Sequence, residues 1–312
     1  MTSLADIEAA RERIAAHVHR TPVYSSELLD AHAGARIHFK CENLQKVGAF
    51  KARGASNAVF SLSAGEAAAG VATHSSGNHG AALAMAARRR GIPAHIVMPA
   101  SAPSVKQDAV AAYGGLVISC EPTLAAREAT LERVVAGTGA HVVHPYADPR
   151  VIAGQGTVAL EILEQVPDLD VIVVPVGGGG LLSGVAVAIK SLRPEVEVVA
   201  AEPEGADDAF RSFGLGELQP SIAPNTIADG LLAGLGALNF SLIQQYVDTI
   251  LTVTDANIVA AMRLQWTRLK TVVEPSGAVS FAALLEHPER FRGRRVVAVI
   301  SGGNLDLDRL PW

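Results

Sequence analysis

Short β-branched runs alternate with amphipathic stretches along almost the whole chain. Ala72 to His74, His95 to Met98, Leu116 to Ser119, His141 to Val143, Val171 to Val176, Val196 to Ala201, Thr249 to Val253 and Arg295 to Ile300 read as strands. Between them the spacing predicts helices around Asn78 to Arg90, Pro103 to Tyr113, Pro122 to Ala136 and Leu181 to Leu192. Such alternation predicts an α/β protein built on open parallel sheets covered on both faces. No fixed-period repeat, low-complexity tract or long polar linker interrupts it, so any domain boundary lies in a short connection.

One junction in this pattern stands apart. Between the apolar run ending at Val176 and the helix opening at Leu181 lie Gly177, Gly178, Gly179 and Gly180. Four glycines let the backbone come close to a ligand and point several N–H groups one way. The helix start adds the positive end of its dipole, so the group held there is an anion, and a phosphate fits best. A helix terminus contributes at most about 2 kcal/mol. Stripping water from an ion costs several kcal/mol. A loop of many donors closes that gap, and four glycines exceed what a packed turn requires. A Walker loop needs G-K-[ST], but Leu181 and Leu182 follow Gly180; a G-x-G-x-x-G fingerprint from Gly177 would need glycine where Leu182 stands.

Composition narrows the class. The 312 residues are 49% hydrophobic and 18% charged, enough for one large or two medium globular domains. Net charge is −5, and the only basic block, Arg88-Arg89-Arg90, closes a predicted helix where cations suit the dipole. Nucleic acid is therefore not an expected partner. Cys41 and Cys120 provide no disulfide framework and fit a reducing, cytoplasmic setting. The charged amphipathic N-terminus is not a signal peptide. Val171 to Ile189 carries no charge and is long enough to span a membrane, yet Pro175 and the glycines would break such a helix. No membrane partner is expected.

Two further strand-to-loop junctions are rich in Gly, Ser and Asn: Ser75-Ser76-Gly77-Asn78-His79 and Ser301-Gly302-Gly303-Asn304. Ligands of open parallel sheets bind beyond the carboxyl ends of strands, so the three turns outline a polar site for a phosphorylated or acidic small molecule. Ser and Asn also cap helices, which by itself explains the Ser75 turn. Lys51, within Gly48-Ala-Phe-Lys-Ala-Arg-Gly54, opens a helix where a cation opposes the dipole. Buried lysines lose proton affinity and become amine nucleophiles for carbonyl carbons.

Together K-x-G-[AS]-F-K-x-R-G, S-S-G-N-H-G, G-G-G-G-L-x-S-G and the terminal S-G-G-N resemble fold-type II pyridoxal-phosphate enzymes, and more narrowly the serine/threonine dehydratase and serine racemase family. The similarity runs over nearly the whole chain, including the A-G-Q-G-T of Ala153 to Thr157 and the E-P-S-G of Glu274 to Gly277. The resemblance implies a tryptophan synthase β-like fold of two αβα domains. Residues 1–68 and 148–312 would form a large cofactor-binding domain, and 69–147 a small one that closes over substrate.

It implies that Lys51 carries pyridoxal 5'-phosphate as a Schiff base and then acts as base at Cα. Phe50 packs beside the ring, Asn78 bonds the ring hydroxyl, Gly177 to Gly180 cradle the phosphate, Ser301 meets the ring nitrogen, and Glu274 belongs to the cofactor set. Ser75, Ser76, Asn78 and His79 hold the substrate carboxylate at a helix N-terminus. A neutral Ser301 makes the ring a weaker electron sink, which favours fast loss of a β-hydroxyl. The implied reaction takes an L-threonine or L-serine-type β-hydroxy amino acid to a 2-oxo acid and ammonia; 3-hydroxyaspartate is a further substrate choice.

Ser76 keeps a racemase open, since a serine there faces Lys51 across the substrate in serine racemases. Tyr146, where eukaryotic racemases tend to have asparagine, and Ala81, where glutamine is usual, depart from that pattern. A non-catalytic amino-acid sensor would not need Lys51 with Ser301; a cysteine synthase-like β-replacement enzyme would keep the same cofactor. The acidic stretch after Ala201 offers oxygen ligands for a hard cation, and the resemblance points to Glu202, the carbonyl of Ala206 and Asp208 for Mg²⁺, or Ca²⁺ or Mn²⁺. No zinc site is expected: His141 and His144, three apart on a predicted strand, would face opposite sides of the sheet. The family also implies a homodimer. With nothing after Trp312, no regulatory domain and no isoleucine feedback are expected.

Overall fold

The computed structural model describes residues 2–75, 77–102 and 104–312. Ten strands form two sheets: β1 (Val23–Tyr24), β2 (Arg36–Cys41), β3 (Val71–His74), β4 (Ala94–Pro99), β5 (Leu116–Cys120), β6 (His141–Val142), β7 (Val171–Pro175), β8 (Glu197–Pro203), β9 (Thr249–Val253) and β10 (Arg295–Ile300). The larger sheet runs β1-β2-β10-β7-β8-β9 and the smaller β5-β4-β3-β6. Every pairing is parallel except β1 with β2, an antiparallel edge. Helices cover both faces of each sheet, giving the two αβα units that the alternation implies.

β9, β10 and the helix Asn78–Arg90 fall where the pattern places them. β1 and β2 are not foreseen. In β2, Arg36, His38 and Lys40 interrupt what a hydrophobic reading looks for, although Lys40 is fully buried beside Phe39 and Cys41. The expected strand through Val143 stops at Val142, so His144 lies in the following loop and the opposite-faces argument about His141 and His144 does not apply. Among the described residues no group of three or more His, Cys, Asp or Glu side chains is arranged to hold a metal. Both cysteines are free. No helix among the described residues is long and apolar enough to cross a membrane.

Strand order places the chemistry. Successive strands leave β7 toward β8 on one side, while β10 returns on the other; β3 stands likewise between β4 and β6. Each sheet thus has a switch point where a crevice opens at the carboxyl ends. In the larger sheet that crevice is edged by the turns after β7 and β10, which carry Gly177 to Gly180 and Ser301 to Asn304. In the smaller it is edged by the turns after β3 and β6, which carry Ser75 to His79 and Val143 to Tyr146.

Three helices that open at this edge pack through glycine. A Cβ on Gly54 would lie 2.8 Å from the Val151 carbonyl, one on Gly154 2.6 Å from Gly54 Cα, and one on Gly184 2.3 Å from the Ile152 carbonyl. The helices Lys51–Ser61, Pro149–Gln165 and Gly180–Leu192 therefore meet backbone to backbone. The A-G-Q-G-T stretch is explained by this packing: it fixes the helix that begins at Lys51 against the helix that begins at Gly180.

Candidate active site

Lys51 sits on a strap tied to the end of β10. Phe50 N–H donates to the Ser301 carbonyl at 3.0 Å, Gly303 N–H to the Gly48 carbonyl at 2.9 Å, and Asn304 Nδ2 to the Val47 carbonyl at 2.6 Å. Val47 (φ 58°) and Gly48 (φ 68°) turn the chain sharply into the helix. Lys51 Nζ donates to the Pro145 carbonyl at 2.9 Å, in the turn after β6, and lies 5.0 Å from the centre of the Phe50 ring. Among the described residues it has no carboxylate partner. Burial disfavours the ammonium and brings its pKa down to about 8.

The tetraglycine turn enters its helix through Gly179 at φ 89°. Among the described residues no acceptor takes the backbone N–H groups of Gly177 to Leu182, all six of them on buried residues. Buried N–H groups are nearly always paired, so a run of six is a site for an anion. The glycines are also closely walled. A Cβ on Gly178 would fall 2.4 Å from the Tyr146 ring, on Gly177 2.9 Å from Leu231 Cα, and on Gly179 2.7 Å from Leu235. Packing by itself requires glycine here.

Ser75 Oγ accepts from the N–H groups of Gly77 and Gly80, each at 3.3 Å, and holds the turn. The N–H groups of Asn78 and His79, at the start of their helix, have no acceptor among the described residues. Ser76 lies outside the described residues. Asn78 reaches across to the larger sheet: its Nδ2 donates to Glu274 Oε1 at 2.9 Å and its Oδ1 accepts from Asn304 Nδ2 at 2.9 Å. Glu274, buried, also accepts from Asn304 N–H at 3.0 Å, and burial pushes its carboxyl up to about 8. His79 Nε2 lies 3.3 Å from the Val143 carbonyl while Nδ1 has no partner among the described residues, and burial holds the ring well below its ordinary pKa. Ser301 Oγ donates to the Ser276 carbonyl at 3.3 Å, long enough to leave the hydroxyl free to turn.

Lys51, Phe50, Ser75, Asn78, His79, Glu274, Ser301 and the glycines thus line one region where the two crevices face. The acidic turn is separate. Glu202 accepts from the N–H groups of Ala209 (2.9 Å) and Phe210 (2.7 Å), and Asp208 from that of Leu235 (2.8 Å). Both carboxyls are buried, and neither is ion-paired among the described residues. Burial, then the Asp208 and Asp207 charges, push Glu202 up to about 8; burial raises Asp208 too. Ala206 is buried beside them.

Sequence reasoning did not foresee two supports. Arg53, two residues beyond Lys51, is fully buried in an ion cluster: Nε to Glu42 at 2.8 Å and Nη1 to Glu161 at 2.7 Å, with Lys40 Nζ 2.5 Å from Glu161. Two cations meet two carboxylates, and Thr21 and Gln165 satisfy further atoms. The signal available was four charged residues inside otherwise apolar elements. Tyr146 is the other: its ring covers Gly178, its carbonyl accepts from Asn239, and it stands perpendicular to the His144 ring at 4.6 Å.

Known proteins match this arrangement. The chain is 53% identical over 307 residues to the β-hydroxyaspartate dehydratase of Paracoccus denitrificans, covering 98% of each chain. It is 50% identical to the serine racemase of Arabidopsis thaliana, covering 97% of this chain and 93% of that one. The structure of maize serine racemase superposes with a TM-score of 0.97 at 47% identity, over 98% of this chain and 95% of the other. The pyridoxal-phosphate dependent enzyme family matches residues 14–302, and the chain belongs to it, as a member of fold type II.

Proposed function

We propose that this enzyme is a dehydratase that takes β-hydroxy amino acids of the L-serine and L-threonine type to 2-oxo acids and ammonia. The observation that carries this is the pairing of a lysine amine depressed to about 8 with a buried run of unpaired N–H donors. Those two features fit pyridoxal phosphate: an amine for its aldehyde and a cradle for its phosphate. When bound, the cofactor supplies an electron sink for the pair left at the amino-acid Cα.

The chain's own groups do the rest. Gly177 to Gly180 hold the phosphate, Phe50 packs against the ring and Asn78, braced by Glu274 and Asn304, orients it. Ser301, a neutral hydroxyl, meets the ring nitrogen with a hydrogen bond rather than an ion pair. The N–H groups of Asn78 and His79 receive the substrate carboxylate, with Ser75 shaping the turn. The Lys51 amine takes the Cα proton; the β-hydroxyl departs with a proton as water. The enamine so formed becomes an imine, and a second water converts it to 2-oxo acid and ammonia.

Racemisation is the second reading, favoured by the serine at position 76. Ser76 would exchange a proton on the face opposite Lys51. One incubation with L-serine, scoring pyruvate and D-serine together, decides between them. Pyruvate in large excess supports the dehydratase; D-serine at a comparable rate overturns it in favour of the racemase. An added thiol that diverts product to a thioether would instead indicate β-replacement.

The proposal extends to organisation. Residues 1–68 and 148–312 act as the cofactor-binding domain and 69–147 as the closing domain, in a cytoplasmic homodimer. Mg²⁺, or Ca²⁺ or Mn²⁺, would sit on Glu202, Asp208 and the Ala206 carbonyl, where two buried carboxylates without cationic partners among the described residues favour a hard cation. Adding Mg²⁺ to chelator-treated protein then raises its melting temperature, and the gain vanishes in Glu202→Gln. Equal gains in both proteins count against the site.

A further inference from the structure

One buried amide joins two of the turns that meet at this site. Asn239 lies in the first turn of the helix Ala237–Tyr246 and is fully buried. Its Nδ2 donates to the Tyr146 carbonyl at 3.1 Å and to Ser183 Oγ at 3.3 Å. Ser183 belongs to the helix that opens at Gly180, and Tyr146 to the turn after β6. Asn239 is also pressed against the tetraglycine: a Cβ on Gly179 would fall 2.8 Å from Asn239 Cβ. Just before its helix, Gly236 N–H donates to the Gly178 carbonyl at 3.3 Å.

What the amide holds is the turn that meets Lys51. The Pro145 carbonyl, which accepts from Lys51 Nζ at 2.9 Å, shares a peptide plane with the N–H of Tyr146. That N–H donates to His144 Nδ1 at 3.3 Å, and the Tyr146 carbonyl is taken by Asn239. Both ends of the residue are thereby fixed, and with them the direction of the Pro145 carbonyl. The Tyr146 ring in turn covers Gly178.

Packing alone does not call for an asparagine here. Asn239 Oδ1 is shielded from solvent and has no partner among the described residues. A buried polar atom left unpaired is costly, and leucine has nearly the same shape without that cost. The donor half of the amide is what the position gains. We propose that Asn239 is a positioning residue: by clamping the Tyr146 turn to the tetraglycine turn, it sets the separation between the Lys51 amine and the anion cradle. The proposal rests on the cofactor placement given above, since pyridoxal phosphate has to reach both places at once.

The test compares wild type with Asn239→Leu, Asn239→Ser and Ile189→Ala. Leucine cannot donate, and a serine hydroxyl stops one bond short of Nδ2. Ile189, buried at the far end of the helix Gly180–Leu192, controls for stability alone. Losing the partner of a buried carbonyl should quicken cofactor dissociation at least about fivefold in both Asn239 variants. The circular dichroism that the bound ring acquires from its surroundings changes too, because the ring is seated differently. For L-serine, kcat falls about tenfold or more with KM little altered. The amide's hydrogen bonds go to the Tyr146 turn and not to the Asn78 turn that takes the carboxylate. Ile189→Ala lowers the urea midpoint of cofactor-free protein by as much or more and leaves all three readouts unchanged.

Unaltered dissociation and dichroism in a folded Asn239 variant overturn the proposal, as do changes that Ile189→Ala reproduces. Both readouts stand whether or not L-serine is the substrate, since neither needs turnover. Wild-type protein that takes up no pyridoxal phosphate overturns the cofactor placement and this inference together. Wild type that holds it firmly, with Asn239→Leu indistinguishable, overturns the inference alone.

Discussion

The two sheets are built to different standards. In the larger, every residue of β7 is buried, and extensive apolar layers lie on both faces. In the smaller, one face packs on residues such as Leu83, Met85, Ile96 and Met98, while the other rests on Ala72, Val97, Leu131 and Ala140. Its edge strand β5 leaves Leu116 half exposed. Segments with few buried apolar contacts open at lower free-energy cost. Of the groups proposed to hold the cofactor, the tetraglycine and Ser301 belong to the thick sheet, and the strap that leads into Lys51 is tied to its β10. The Ser75 turn, proposed to receive the substrate carboxylate, belongs to the thin one.

Lys51→Ala gives the largest effect expected. Turnover falls at least about 10³-fold, from the range general-base catalysis contributes, while the fold persists because the strap is held by backbone bonds. A variant that retains full activity would sink the proposed mechanism. The same lysine sets a pH dependence in cofactor-free protein. Its folded pKa of about 8 lies below the unfolded value of 10.5. Between those values the unfolded chain binds more protons, so stability rises with pH across that window. Below it the cost of burying the ammonium is fully present. Lys51→Met flattens the rise in denaturant titrations, and cofactor incorporation into wild-type apo-protein speeds up as pH passes about 8. A rise that survives in Lys51→Met assigns it to another group.

Within the thick sheet, Arg53→Met leaves Glu42 and Glu161 short of a buried cation. Breaking such a cluster costs about 3–5 kcal/mol. The layers themselves supply a matched pair. Ile172→Ala, in β7, is expected to cost about 4 kcal/mol, and Leu131→Ala, on the thin face, about 2 kcal/mol. Urea midpoints measured side by side check the order. Equal costs would mean that the smaller sheet is as firmly packed as the larger, and the contrast would fail.

The same contrast explains what the sequence disclosed. Apolar runs such as Val171 to Val176 announce themselves because a central parallel strand is buried on both faces and tolerates little else. β2 hid because its buried Lys40 is satisfied by Glu161, which lies far away in the chain. The tetraglycine turn stood out from its residues alone, and its N–H groups are left without acceptors among the described residues. Tyr146 did not, since its ring meets Gly178 only when the two switch points face. His144 was misplaced for a related reason: the strand before it is two residues long, too short for alternation to define a face.

Lys106→Met tests the contrast with the smallest effect. Lys106, on the helix Ser104–Ala112, is paired with Asp229 of the larger unit, and the two side chains are 21% and 50% exposed. Pairs in that setting contribute at most about 1 kcal/mol and are screened by salt. The urea midpoint should therefore barely move, and high salt should mimic the substitution. What changes is the boundary between the sheets: amide exchange quickens along Ser104–Ala112 and β5 while β7 stays protected. Were β7 to quicken equally, the two sheets would open as a single unit, and the thin sheet could not close over substrate independently of the thick one.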